Sequence, residues 1–289
     1  MFDSYEDYRA RLGDLDTWRP YLDQVVGEVE AVPGFNPTFP TFVCGDVVVK
    51  FFGFVPRAHE TFVAEQAACA LVANAELDGA RLLGSGDAGW PYLLLARMGG
   101  VASHRAELSE ERQLALAADV GQQIGQLHRL PIPDGLPLID PADLDIAGGV
   151  GRSSLPPHLA EQAVAYVDRL GPMDPVVVHS DLCAMHVFVD DGRLSGIIDW
   201  GETAVADRHH ELIQVYRDLC AYDPARFRAF LDAAEWPLDD DFPQRALGHA
   251  LVRQSRGRRI DVFMPVASRY ELDEIATLDD LAELLFAQP

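Results

Sequence analysis

The residues best suited to chemistry gather in one stretch, Val176–Glu202, which reads VVVHSDLCAMHVFVDDGRLSGIIDWGE. His179, Asp181, His186 and Asp199 stand there among apolar runs. Two carboxylates and two imidazoles beside buried strands are costly to desolvate, so a chemical use is expected of them. Phosphoryl transfer offers one. It needs a carboxylate to orient an acceptor hydroxyl and take its proton, and ligands that hold a divalent cation against the phosphates. Asp181 suits the first role, His186 and Asp199 the second. Far upstream, Lys50 is the only lysine in a chain with 22 arginines. A compact ammonium at the end of a strand suits phosphate contact differently from arginine's planar fork.

Three apolar runs would position the cluster. Val176–Val178 is β-branched and reads as a buried strand, and Val187–Val189 as a second. Asp190-Asp191-Gly192-Arg193 is a hairpin turn, since Asp-Gly tolerates the positive φ that tight turns require. Leu194–Ile198 returns as a strand and delivers Asp199. Lys50 falls near the end of a strand over Val47–Phe52, paired through Cys44-Gly45-Asp46 with a strand over Thr38–Val43.

With its motif His179-Ser180-Asp181-Leu182-Cys183-Ala184-Met185-His186 and the following Ile198-Asp199-Trp200-Gly201-Glu202-Thr203-Ala204, the chain resembles the aminoglycoside phosphotransferase family. That family of antibiotic kinases has a protein-kinase-like fold and the pattern H-G/A-D-L-x-x-x-N followed by I-D-W/F-G. His186 departs from it, standing where most members carry Asn and macrolide-type members carry His. The resemblance implies an α+β, bilobal fold, with an N-terminal antiparallel sheet lobe over residues 1–98 and a mainly helical C-terminal lobe over 99–289. It implies ATP (or GTP) as phosphoryl donor and Asp181 as catalytic base, with His179 bracing the loop. His186 and Asp199 would hold Mg2+, or Mn2+, because imidazole is a poorer magnesium ligand than oxygen. Lys50 would contact the α- and β-phosphates. Glu65, in Phe62-Val63-Ala64-Glu65 with Leu71 beyond, would orient it. Gly34 and Asn36 fall in the loop that would cover the phosphates, and backbone groups of Ala96 to Met98 would hold the adenine edge. The expected acceptor is a hydroxyl of a small molecule, an antibiotic first: an aminoglycoside, or a macrolide-type one given His186. A metabolic alcohol such as choline, homoserine or a sugar is the alternative, and so is a nucleotide-binding pseudo-enzyme.

The remaining chain supports a folded, two-part molecule. Helices are expected over Ser4–Leu12, Thr17–Val29, His59–Ala73, Ser109–Leu130, His158–Leu170, Asp207–Leu219, Asp223–Ala234, Arg245–Arg256 and Thr277–Phe286. Strands are expected over Arg81–Gly84 and Trp90–Met98 around a Ser85–Gly89 turn, a break at Pro33–Pro37, and a flexible linker over Gly148–Ser154. Hydrophobic content of 48% fits a globule, and no apolar run is long enough to span a membrane. Four widely spaced cysteines and an acidic N-terminus suggest a reducing cytoplasm. The net charge of −23 disfavours nucleic acid and anionic membranes as partners and favours a cationic substrate. Acids at Glu235, Asp239-Asp240-Asp241, Glu271, Asp273 and Glu274 are candidates to hold such a substrate.

Overall fold

The Ser4 hydroxyl accepts from the Asp7 N–H to begin α1 (Tyr5–Ala10), and the Asp14 carboxylate accepts from the Asp16 N–H to begin α2 (Leu15–Val26). Each cap meets a donor that a helix start leaves unpaired. The structure, a computed structural model, describes residues 2–35, 38–257 and 261–287. Trp18 of α2 packs its ring against Phe51 and Trp90, and so fixes both helices to the sheet that follows.

That sheet comprises β1 (Val32–Pro33), β2 (Thr41–Cys44), β3 (Val47–Phe51), β4 (Leu82–Asp87) and β5 (Pro91–Ala96), with α3 (Ala58–Asn74) between β3 and β4. Its order is β1-β2-β3-β5-β4, antiparallel throughout. Lys50 pairs with Thr41 on one side and Leu93 on the other, a central position held by two ladders. Two expectations change here. The break at Pro33 is a short edge strand, where a missing N–H does no harm. The expected Ser85–Gly89 turn narrows, because β4 continues to Asp87.

Beyond Ala96 the chain crosses to β6 (Val101–Ala102) and α4 (Glu110–His128), capped by Ser109. Three short helices follow, α5 (Ile146–Val150), α6 (Pro157–Ala160) and α7 (Ala163–Asp168). The expected linker is therefore partly helix, held where Gly149 meets Ser255 so closely that a Cβ would lie 2.4 Å from the Ser255 Cα. The expected helix over His158–Leu170 is interrupted between α6 and α7. Next come β7 (Pro175–Val178), β8 (Val187–Asp190), β9 (Arg193–Ile197) and β10 (Ala204–Asp207). β7 pairs with β10, and β8 lies between β6 and β9. The span expected as one helix to Leu219 is a 3-10 turn (Arg208–Glu211), a short α8 (Leu212–Gln214) and a π turn (Val215–Leu219). The chain ends with α9 (Pro224–Ala233), α10 (Phe242–Arg256), α11 (Met264–Ala267) and α12 (Leu278–Phe286).

The core is continuous across both parts, running from Phe52, Leu93 and Leu95 beside the sheet to Phe230, Leu251 and Phe286. α4 is central to it and buries Leu116, Val120, Ile124 and Leu127. Each such side chain contributes about 1.5–3 kcal/mol through burial. No helix among the described residues is long and apolar enough to cross a membrane.

Candidate active site

The turn after β7 holds His179, Ser180 and Asp181 under several anchors. The His179 N–H donates to Glu211 Oε1 at 3.1 Å, and the Asp181 N–H donates to His179 Nδ1 at 3.2 Å. His179 Nε2 lies 3.0 Å from the Ile198 carbonyl. An amide donor at one ring nitrogen and a carbonyl at the other require the neutral tautomer protonated at Nε2. Burial, aided by the neighbouring His186, agrees by pulling the imidazole below its ordinary pKa. Ser180 adopts φ 64°, a left-handed conformation uncommon outside glycine, and its carbonyl accepts from Arg253 at 2.5 Å. Asp181 Oδ1 accepts from Gln214 at 2.7 Å, while the side chain stays 35% exposed to the cleft. The loop is rigid and its carboxylate is presented.

His186 closes the arrangement. Its Nδ1 lies 2.7 Å from the Asp181 carbonyl and must donate to it. Nε2 therefore faces Asp199 Oδ2 at 3.4 Å, as a proton when the ring is charged and as a lone pair when it is neutral. Burial opposes the charge. Contact with Cys183 and the Asp199 and Asp181 carboxylates outweighs it and pushes the pKa up to about 10. At that pKa the free ring carries a proton on Nε2, so ligation through Nε2 requires a bound cation to displace that proton, with the Nδ1 contact to the carbonyl fixing the ligating tautomer. Among the described residues no three His, Cys, Asp or Glu side chains gather as a complete metal site. One carboxylate and one imidazole nevertheless fit a divalent cation that draws its other ligands from phosphate oxygens and water.

Asp199 ends the β9 segment in a left-handed conformation, φ 62°, which turns its side chain back toward β3. There Lys50 Nζ lies 2.7 Å from Asp199 Oδ1 and 2.6 Å from Glu65 Oε2. Burial alone would lower the lysine pKa, but the two carboxylates hold it above its ordinary value. Partial burial likewise opposes the Asp199 charge, and Lys50 with His186 keeps that carboxyl well below the usual range. Glu65, 1% exposed on α3, is raised by burial despite Lys50. Phe39 and Phe52 flank the ammonium with ring centroids at 5.9 and 5.4 Å. Lys50 is a fixed positive charge facing the cleft.

These groups line a cleft of about 1230 Å³ between sheet and helices. The structure brings Lys50, Glu65, Asp181, His186 and Asp199 together in it. His179 lies behind, as its brace. Gly34 lines the same cleft, but its N–H is committed to the Thr41 carbonyl at 2.7 Å and is no spare phosphate donor. Asn36 lies outside the described residues. Ala96 and Met98 also line the cleft. The Ala96 N–H donates to the Arg81 carbonyl at 2.8 Å, leaving its carbonyl side and the Met98 backbone as the groups to meet a base. None of Glu235, Asp239, Asp240, Asp241, Glu271, Asp273 and Glu274 lines the cleft, so that expectation is corrected. Glu235 instead pairs with Arg129 at 3.2 Å on the surface.

Sequence reasoning missed Gln214, Arg217, Asp218 and Arg253. Three of them follow helical spacing on one face beyond Glu211, a signal that could have been read. Arg253 comes from α10 and gave no local signal.

The match to known proteins agrees with this geometry. An aminoglycoside 3'-phosphotransferase of Streptomyces fradiae is 32% identical over 148 residues, which is 44% of this chain and 53% of that protein. The chain spans about half the length of these curated relatives. The GDP complex of an aminoglycoside 2'-phosphotransferase-IIIa superposes with a TM-score of 0.68 at 14% identity, covering 94% of this chain and 99% of that one. The streptomycin–ATP ternary complex of APH(2")-IIa superposes at 0.64 with 16% identity, covering 94% and 98%. At such identities the likeness establishes the bilobal kinase-like α+β fold. A sequence profile for the phosphotransferase enzyme family matches residues 39–247, and with that span the chain belongs to the phosphotransferase enzyme family.

Proposed function

We propose that this chain transfers the γ-phosphoryl group of ATP or GTP to a hydroxyl of a small molecule, an aminoglycoside antibiotic in the first instance. One observation carries the reading: a loop-anchored carboxylate, Asp181, opens onto a cleft whose lining also holds the Lys50–Glu65–Asp199 set. Asp181 takes the proton of the acceptor hydroxyl and aligns its oxygen for attack. Lys50 grips the donor's phosphates and Glu65 keeps it extended. Asp199 and His186 are the residues to hold a Mg2+ or Mn2+ ion, which when bound would offset charge on the transferring phosphates. Catalysis of this kind is positioning plus electrostatics, and the fixed loop supplies the first. Two solved neighbours hold GDP and ATP, and another holds gentamicin, which supports a nucleotide donor and an antibiotic acceptor here. Four buried, unpaired cysteines are consistent with a cytoplasmic setting.

A second reading concerns the acceptor's charge. Asp218 is paired with Arg217 at 2.6 Å, and Glu202 with Arg256 at 3.3 Å. With these cleft acids matched, a neutral or singly charged acceptor, macrolide-type or metabolic, fits as well as a polycation. The test is diphosphate formation from ATP and GTP with magnesium, then manganese, against aminoglycosides, macrolides, choline, homoserine and simple sugars. Turnover on one class, lost by roughly a hundredfold or more in Asp181→Asn, is expected. Undiminished turnover in Asp181→Asn would sink the base assignment.

A further inference from the structure

We propose that Gln214 is a positioning residue for the Asp181 carboxylate, held in register by Arg253. The inference rests on Asp181 acting as the base. Gln214 Nε2 donates to Asp181 Oδ1 at 2.7 Å, and its Oε1 accepts from an Arg253 Nη. The orientation of the amide follows from chemistry. A guanidinium only donates and a carboxylate only accepts, so the amide oxygen must face Arg253 and the NH2 must face Asp181. Arg253 gives its other Nη–H to the Ser180 carbonyl at 2.5 Å. The side chain of α10 thus grips the base's carboxylate, through the amide, and the peptide immediately before it.

Burial gives the pair its leverage. Gln214 is 5% exposed, and the Arg253 side chain 9%. Water has little access to replace either bond. Fixing Oδ1 leaves Oδ2 as the oxygen that faces the cleft, with His186 Nδ1 3.6 Å away, beyond hydrogen-bond reach. The acceptor hydroxyl therefore meets Oδ2. Without Gln214 the carboxylate keeps only the longer contacts with Arg253, 3.8 Å from Oδ1, and His186, 3.6 Å from Oδ2, so its orientation about the Cβ–Cγ bond is less well fixed. The π turn at Val215–Leu219 directly follows Gln214 and carries Arg217 and Asp218 onto the same cleft wall, the kind of backbone irregularity often found at working sites.

The test is a double-mutant cycle on diphosphate formation from Mg-ATP, with the acceptor selected from the panel above or with water as acceptor. Gln214→Leu removes the donor. Gln214→Glu keeps the Arg253 contact and the shape but, when ionised, cannot donate to Asp181. Both variants should lower kcat by roughly tenfold to a hundredfold, the scale of one hydrogen bond to a charged group, with the KM for ATP within about twofold. In the Asp181→Asn background neither change should have further effect. A merely structural role would move the thermal midpoint of both variants and leave the pH dependence of kcat in place, whereas loss of positioning shifts the acid limb of that profile. Wild-type kcat in both variants, or full additivity with Asp181→Asn, overturns the Gln214 role alone. Retained turnover in Asp181→Asn itself overturns the base assignment and the inference with it.

Discussion

Lys50 lies over Phe39 and Phe52 with both of its carboxylate partners inside 2.8 Å, in a position only 7% exposed. A guanidinium carries the same charge but is planar and larger, with donors spread over a fork. It cannot place one donor atom between two carboxylates from β3's narrow setting. Lys50→Arg is therefore expected to lower kcat/KM for the nucleotide by at least roughly tenfold while leaving the chain folded, read by initial rates and thermal melting. Nucleotide use equal to that of the unaltered chain would show that charge alone, and not the point geometry, is what Lys50 provides. The rarity of lysine in this sequence drew attention to the residue. Its partner Glu65 is expected from the family resemblance, whereas Asp199 is expected as a metal ligand and its contact with Lys50 is a finding of the structure. Arg253 was illegible for a physical reason: a guanidinium 39 residues from Gln214 in sequence acquires its role only when α8 and α10 pack together.

The same distinction holds for elements. The hairpin of β8 and β9 was readable because apolar runs and an Asp-Gly turn are local properties. β10 and α5 were not. β10 exists because β7 offers it a ladder, and α5 because α10 leaves room for Gly149. Close approach also fixes α4 on α9, where a Cβ on Gly121 would come within 2.2 Å of the Phe230 carbonyl oxygen. Gly121→Ala should thus destabilise the fold by roughly 1–3 kcal/mol despite its better helix propensity, measurable by denaturant unfolding. A second element-level contact is titratable. Asp207, at the end of β10, accepts from Arg245 at 2.7 Å and lies 3.4 Å from His249, both on α10, and binds His209 at 2.7 Å. Burial pulls His249 down to about 4, and Arg245 and His209 add to this against the pull of Asp207. The unfolded chain takes up this proton near the ordinary histidine value, so folding loses stability as pH falls from about 6.5 toward 4. The loss from this one group amounts to roughly 3 kcal/mol. Asp207 is held well below the usual carboxylate range, its hydrogen bond to His209 and the charge of His249 outweighing burial, so its contribution disappears only at still lower pH. His249→Gln should flatten the stability profile between pH 7 and 5 in urea unfolding. An equally steep profile would locate the acid sensitivity elsewhere.

At the scale of the whole molecule, the net charge of −23 acts on both proposed substrates with opposite sign. A polycationic acceptor is drawn in, and an anionic nucleotide is held off except where Lys50 receives it. The cleft itself is close to balanced, with Asp218 and Glu202 matched by Arg217 and Arg256, so any preference for a cation must come from this longer-range field. Long-range fields respond to salt and close pairs respond much less. The Debye length shortens from about 30 Å at 0.01 M to about 8 Å at 0.15 M ionic strength. Across that range kcat/KM for a polycationic aminoglycoside should fall several-fold, and kcat/KM for the nucleotide should rise. A neutral sugar or a singly charged macrolide should show little change in its own kcat/KM. The comparison separates the two acceptor readings without a structure of any complex. A steep fall with salt assigns recognition to the acidic surface as a whole, whereas a flat response for the best acceptor assigns it to the paired residues around Asp181.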